Sequence, residues 1–272
     1  MLATIQEMLS FAFINRAILV GVLVSLCAAL LGVSLVLKRY ANIGDGLSHV
    51  GFGITTIAVA FGLAPLPVAI PGVIIVAIVL LKIGNSNKVR SDSAIAIISS
   101  SALAIGIAVT SATTGLNTDI CDFMFGSILA MSTSDVILSI AVSIIVLILF
   151  IVYYRKLFVV TFDEEFAKAV GLKTGRYTNL IAILTAVVIV VGMRMMGTLL
   201  ISSIIIFPAL IAMRICKSFK SVVIGSGIIS VICFLIGIFL SYAYNISTGA
   251  MIVIVNLSLF AIFTVLGKIV KE

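Results

Sequence analysis

Charge is scarce in this chain: only 10% of its 272 residues are Asp, Glu, Lys or Arg, while 62% are hydrophobic. Soluble domains average about 25% charged and 45 to 50% apolar residues, so a water-soluble globular protein is excluded. Cysteine is sparse as well. Cys27, Cys121, Cys216 and Cys233 are scattered without CxxC spacing, which argues against a thiolate metal cluster or a disulfide framework and for buried small side chains. The single histidine, His49, has no Ser or Cys at triad-like spacing, and no G-x-x-x-x-G-K-[ST] loop, dinucleotide fingerprint or G-x-S-x-G elbow occurs. The chain is therefore not an ATPase or hydrolase in its own right. Carboxylates in apolar stretches are also few: Asp45, then Asp135 near a span end, with Asp119 and Asp122 in a connecting loop. A proton-driven carrier needs a series of ionisable groups across the membrane, and this sequence offers little to build one. Neither an internal repeat nor a low-complexity linker is visible, which suits one domain over 1–272.

What is present is a succession of long apolar runs, with a mean hydropathy of +1.39. A helix needs about 20 residues to cross the hydrocarbon core, and these runs reach that length without the period-2 alternation of barrel strands. The expected fold is an all-α polytopic transmembrane bundle. About nine spans are predicted, near 17–37, 46–63, 66–82, 94–112, 133–154, 178–193, 196–213, 221–241 and 250–267, with eight to ten compatible with the pattern. The first is too long and too weakly preceded by positive charge for a cleaved signal, and reads as a retained span. Pro65, Pro67 and Pro71 are expected to shorten or kink the third, and only Arg194 to Met196 separates the sixth from the seventh, so that junction must be tight or its helices short. The apolar stretch Phe123 to Met131 suits a half-helix. Placing the loop after the first span in the cytoplasm gathers there all but two, Arg16 and Arg194, of the 17 basic residues. This puts the N-terminus outside and the C-terminus inside, and the net charge of +7 then needs no nucleic-acid partner.

Asp45 and His49 stand four residues apart where the chain re-enters the membrane. On a helix such positions share a face, so a carboxylate and an imidazole can converge on one divalent ion. An ionisable group inside a bilayer costs about 2.5 to 3.5 kcal/mol on insertion scales and is seldom retained without a role. The competing reading makes Asp45 a helix N-cap and His49 a hydrogen-bonded interior residue. One carboxylate and one imidazole suit Mn, Fe or Zn better than Ca or Mg, which prefer more oxygens. Met193, Met195 and Met196 read as apolar packing.

Between Arg155 and Tyr177, Phe158, Phe162, Phe166 and Val170 recur every four residues among Asp163, Glu164, Glu165, Lys168 and Lys173. The spacing predicts an amphipathic cytoplasmic helix, stopped by Gly171, whose stripe lies on the bilayer or enters a partner's groove.

Gly44-Asp45-Gly46-Leu47-Ser48-His49 resembles the G-D-x-L-S-H signature of the permease subunits of ATP-binding-cassette importers for manganese, zinc and iron. Three further blocks resemble that family in order: Phe125-Gly126-Ser127, Phe162-Asp163 through Ala167 to Gly171, and Gly197-Thr198-Leu199-Leu200-Ile201-Ser202 to Pro208-Ala209. The resemblance implies a homodimer in the cytoplasmic membrane of a prokaryote, a cytosolic ATPase, an extracytoplasmic metal-binding protein, and a fold similar to vitamin B12 and siderophore importers. It further implies that Asp45 and His49 form the intramembrane metal site for a transported divalent ion, with no resident cofactor. Phe162, Asp163, Phe166, Ala167 and Gly171 would contact the ATPase. One block departs: Asn245 and Ser247 stand where members commonly carry Asp and Pro before T-G-A, which weakens any role for that loop as a negative charge toward the metal. Permeases of the same architecture for a siderophore or metal-containing cofactor, an ATP-independent carrier and a non-transport scaffold are the competing classes.

Overall fold

The computed structural model describes residues 11–84, 91–113 and 133–269, and every regular element among them is a helix. In chain order these are α1 (Ala12–Leu37), α2 (Ala41–Ala60), α3 (Pro65–Gly84), α4 (Ser91–Thr113), α5 (Thr133–Phe162), α6 (Glu164–Ala169), α7 (Thr174–Met196), α8 (Thr198–Ile215), α9 (Phe219–Tyr244) and α10 (Thr248–Ile269). Eight of the described helices are long and apolar enough to cross a membrane; α8 is shorter, its apolar part running Leu200–Ile215. At 1.5 Å per residue that part is about 24 Å long, so the nine expected spans become eight full ones and a short one. The tight junction is a single residue, Gly197, at φ +88°. Contrary to expectation the prolines do not shorten α3. Pro65 occupies its first position, where the missing N–H costs nothing, and the helix runs 20 residues through Pro71. The half-helix expected at Phe123 to Met131 and the Phe125-Gly126-Ser127 block lie outside the described residues.

Lipid offers no hydrophobic drive for helix association, so the bundle depends on close packing over small residues. Gly32 of α1 meets the backbone of Ile205 in α8, and Gly53 of α2 faces the Ala102 carbonyl of α4. Around these approaches Val24, Leu31, Leu47, Ile189, Ile201 and Phe234 are essentially inaccessible. Met193, Met195 and Met196 are buried too, as the packing reading expects. On the outside, α4, α5 and α10 present Ile97, Ile151 and Ile262.

Polar contacts sort the helix ends into two sets. Lys38 meets Glu164 at 3.4 Å, Asn42 meets Asp92 at 3.3 Å, and Phe158 packs on Phe219 with ring centroids 4.7 Å apart. At the other end Arg16 reaches Thr133 at 3.4 Å and Arg194 reaches Asp135 at 3.5 Å. The two basic residues set apart by the sequence, Arg16 and Arg194, thus share one end.

Two connections need left-handed backbone. After α1, Arg39 adopts φ +60°, and the Tyr40 N–H returns to the Leu35 carbonyl at 2.8 Å, the long bond of a Schellman motif. After α9, Asn245 adopts φ +54°, a region that asparagine enters more readily than most residues, and caps the helix through the Ser241 carbonyl. This gives Asn245 a chain-reversing role that needs no carboxylate.

Candidate functional site

Helix α2 begins at Ala41, with Tyr40 as N-cap, so Asp45 stands within the helix and the N-cap reading of Asp45 is overturned. A helix already formed at residue 45 fixes the i, i+4 geometry, and His49 Nε2 lies 3.7 Å from Asp45 Oδ2. That is too long for a hydrogen bond. Two ligand atoms each about 2.1 Å from one tetrahedral ion lie about 3.4 Å apart, so the gap is close to the span of a shared metal.

The environment is asymmetric. Asp45 has 54% of its side chain accessible, whereas His49 has 16%, and its Nδ1 is buried with no hydrogen-bond partner among the described residues. The other Asp45 oxygen, Oδ1, accepts a hydrogen bond from Ser202 Oγ at 3.2 Å. Ser202 comes from α8, in its second turn after the Gly197 junction. Ser202 belongs to the G-x-L-L-x-S block, whose spacing holds no trace of a contact across 157 residues. No group of three or more His, Cys, Asp or Glu able to hold a metal occurs among the described residues, so one chain supplies two candidate ligands rather than a complete set.

The segment from Arg155 to Tyr177 corrects its expectation. Instead of one amphipathic helix, α5 continues to Phe162, α6 occupies six residues, and α7 starts at Thr174. Asp163 forces the break: in extended conformation, its Oδ1 accepts the Phe166 N–H at 2.9 Å and caps α6. Gly171, at φ +83°, closes the turn as anticipated. Of the periodic residues, Phe158 packs inward on Phe219, while Phe162, Phe166 and Val170 are exposed and Ala167 is fully buried. The short helix therefore anchors through Ala167 and exposes Phe166 among the charged Glu165 and Lys168, with Phe162 and Val170 exposed at either end of it.

Lys38 is the residue at this end to which the sequence gave no role. It caps the C-terminus of α1 with a side chain only 7% accessible, bonding Glu164 at 3.4 Å and Thr178 of α7 at 3.2 Å. Burial lowers the Lys38 pKa although Glu164 opposes this; burial raises that of Glu164, but Lys38 and Lys168 outweigh it and hold the carboxyl below its usual range. The opposite balance at the two partners follows from their exposure, since Glu164 keeps 42% of its side chain in contact with solvent.

Residues 10–267 match the model of the ABC 3 transport family. Among similar proteins, the manganese import system permease protein ScaB of Streptococcus gordonii is 30% identical over 95% of this chain and 92% of its own length. The high-affinity zinc uptake system membrane protein ZnuB of Haemophilus influenzae is 29% identical over 93% of this chain and 97% of its own. The solved structure of PsaBC from Streptococcus pneumoniae in complex with Fab superposes with a TM-score of 0.87 at 30% identity, covering 97% of this chain and 95% of that one. A metal-chelate type ABC transporter in an inward-facing conformation shares the fold alone, at TM-score 0.77, 16% identity and coverage of 96% and 88%. With a membrane-spanning helical bundle, no phosphate loop and a family match over almost its whole length, the chain belongs to the ABC 3 transport family as a membrane permease subunit.

Proposed function

We propose that this permease carries a divalent first-row transition metal into the cell, with Asp45 and His49 as its intramembrane ligands. The observation that carries the reading is the 3.7 Å separation of His49 Nε2 from Asp45 Oδ2, wide enough to take an ion between them. Relatives named for manganese and zinc support the substrate class. The donor pair admits iron(II) equally well. Two copies of the chain meeting at the accessible Asp45 would supply two carboxylates and two imidazoles, neutralising the charge of the ion and completing four ligands.

The driving force comes from a separate cytosolic ATPase, and an extracytoplasmic protein delivers the metal. On this reading residues 1–272 are one permease domain, and α6 is the ATPase contact. Phe166, with Phe162 at the end of α5, provides the exposed apolar side chains, Asp163 the cap of α6, Ala167 its anchor and Gly171 its stop. The basic-residue distribution orients the α1–α2 turn, α6 and the α8–α9 turn to the cytoplasm, which requires the short α8 to cross.

The test is metal uptake by the permease reconstituted with its ATPase and binding protein. Asp45→Asn and His49→Ala should each reduce Mn2+ or Zn2+ uptake at least tenfold while leaving membrane insertion and ATPase association intact, a loss typical when a metal ligand or its support is removed. Wild-type uptake by either assembled variant would refute the assignment.

A further inference from the structure

The Lys38 contacts form a bridge from the end of α1 to α6 and α7. Lys38 ends α1, and seven residues later comes Asp45. The connection between them is short and conformationally fixed: Arg39 is left-handed and Tyr40 is tied to Leu35 at 2.8 Å. On the other side Lys38 Nζ grips Glu164, the first residue of α6, and Thr178, in the second turn of α7. A displacement of α6 therefore pulls on a nearly inaccessible ammonium whose backbone leads directly into the metal-bearing helix.

Breaking this contact inside the fold is expensive, because a buried cation left without its partner keeps its desolvation cost. The neighbouring pairs cannot substitute. Lys168 meets Glu164 at 3.4 Å and Glu165 at 3.8 Å, but all three belong to α6, so these contacts move with it and transmit nothing outward. Beside Lys38 lies a small cleft bordered by Tyr40, Leu81, Thr178 and Thr185, whose buried hydroxyl has no partner among the described residues.

We infer that the Lys38–Glu164 pair is the mechanical link by which movement of α6 repositions α2 and with it Asp45 and His49. Lys38 acts as a positioning residue: it touches neither metal nor ATPase and works through the α1–α2 turn. The inference rests on the proposed roles of α6 and of the Asp45–His49 pair.

The experiment measures Mn2+ uptake and ATP hydrolysis together in proteoliposomes containing the full importer. Lys38→Met should lower the ratio of ions imported to ATP hydrolysed about fivefold or more, the lower end of coupling factors between linked sites. Hydrolysis should persist, and Mn2+ affinity without nucleotide should remain within about twofold of wild type. Glu164→Gln, which removes the charge but keeps an oxygen facing Lys38 at a half-exposed position, should show the same fall in ratio if Lys38→Met does not assemble. Exchanging the charges, Lys38→Glu with Glu164→Lys, should restore at least part of the ratio. A wild-type ratio in Lys38→Met or in assembled Glu164→Gln overturns the inference, as does a loss of uptake and hydrolysis in equal proportion, which marks a merely structural contact. Phe166→Asp serves as the separate control: if that variant keeps wild-type coupling, it is the reading of α6 that fails, whereas coupling lost in Phe166→Asp but kept in Lys38→Met rejects the bridge alone.

Discussion

Substituting Gly53 by alanine tests whether α2, the helix that carries Asp45 and His49, is held in place by backbone contact. A Cβ at residue 53 would lie 2.5 Å from the Ala102 carbonyl oxygen and 3.2 Å from its carbon. Neither atom belongs to a flexible side chain. Ordinary van der Waals contact begins near 3.4 Å, so α2 and α4 must part locally by about 0.9 Å. Gly106 cannot relieve this, since it closes the same approach from α4 against Phe52 and the Gly53 Cα. Overpacking of this kind costs about 1 to 3 kcal/mol. His49 is one helical turn away, so the displacement should reach the Asp45–His49 pair as well. Thermal unfolding of the purified permease in detergent should show a lowered midpoint for Gly53→Ala, and reconstituted uptake should fall. Gly175→Ala is the matched control, because nothing lies within 4 Å of its Cβ and its backbone is ordinary helix; it should be neutral or raise stability by about 0.4 to 1 kcal/mol. A Gly53→Ala protein as stable and as active as Gly175→Ala would refute the close approach.

Three further outcomes follow from named contacts. Ser202→Ala removes the 3.2 Å hydrogen bond to Asp45 Oδ1 and should weaken metal binding about tenfold, measured by competition with a chelating dye; unchanged affinity would show that Asp45 is oriented by something else. Glu164 has a lowered pKa in the folded chain, so its stabilising contribution is present above the ordinary carboxylate range and is lost as pH falls through and below that range. Glu164→Gln should therefore flatten the acid side of the stability profile and leave the neutral side nearly parallel to wild type; an acid limb as steep as wild type would contradict this. In a background lacking the native cysteines, single cysteines at Lys173 and Lys217 should label from the cytoplasm and one at Asn245 from outside, and labelling of Lys173 and Lys217 from opposite faces would remove α8 as a crossing.

Composition made the helical bundle legible, because a 62% hydrophobic chain leaves few alternatives, and spacing placed Asp45 and His49 on one helical face. The sequence misled where local chemistry overrode periodicity. Phe158 to Val170 keeps a four-residue rhythm, yet the Asp163 carboxylate captures the Phe166 N–H and ends one helix to begin another. Prolines at 65 and 71 suggested a damaged span, but the first is at a position that suits it and the second is carried within a helix supported by neighbours. Ser202 and Lys38 were beyond reach for a different reason. Their partners lie 157 and 126 residues away, and only tertiary packing brings them together.

The most direct test of the metal-site claim is EPR of the Mn2+-loaded permease, resolving hyperfine coupling from a coordinating imidazole nitrogen. His49 is the only histidine in the chain, so any such coupling from this protein has one source. Wild-type protein should show the coupling, His49→Ala should lose it along with most of the bound Mn2+, and Asp45→Asn should lose much of the metal. Mn2+ bound in wild-type amount to His49→Ala, or bound to wild type without any imidazole coupling, would contradict the account.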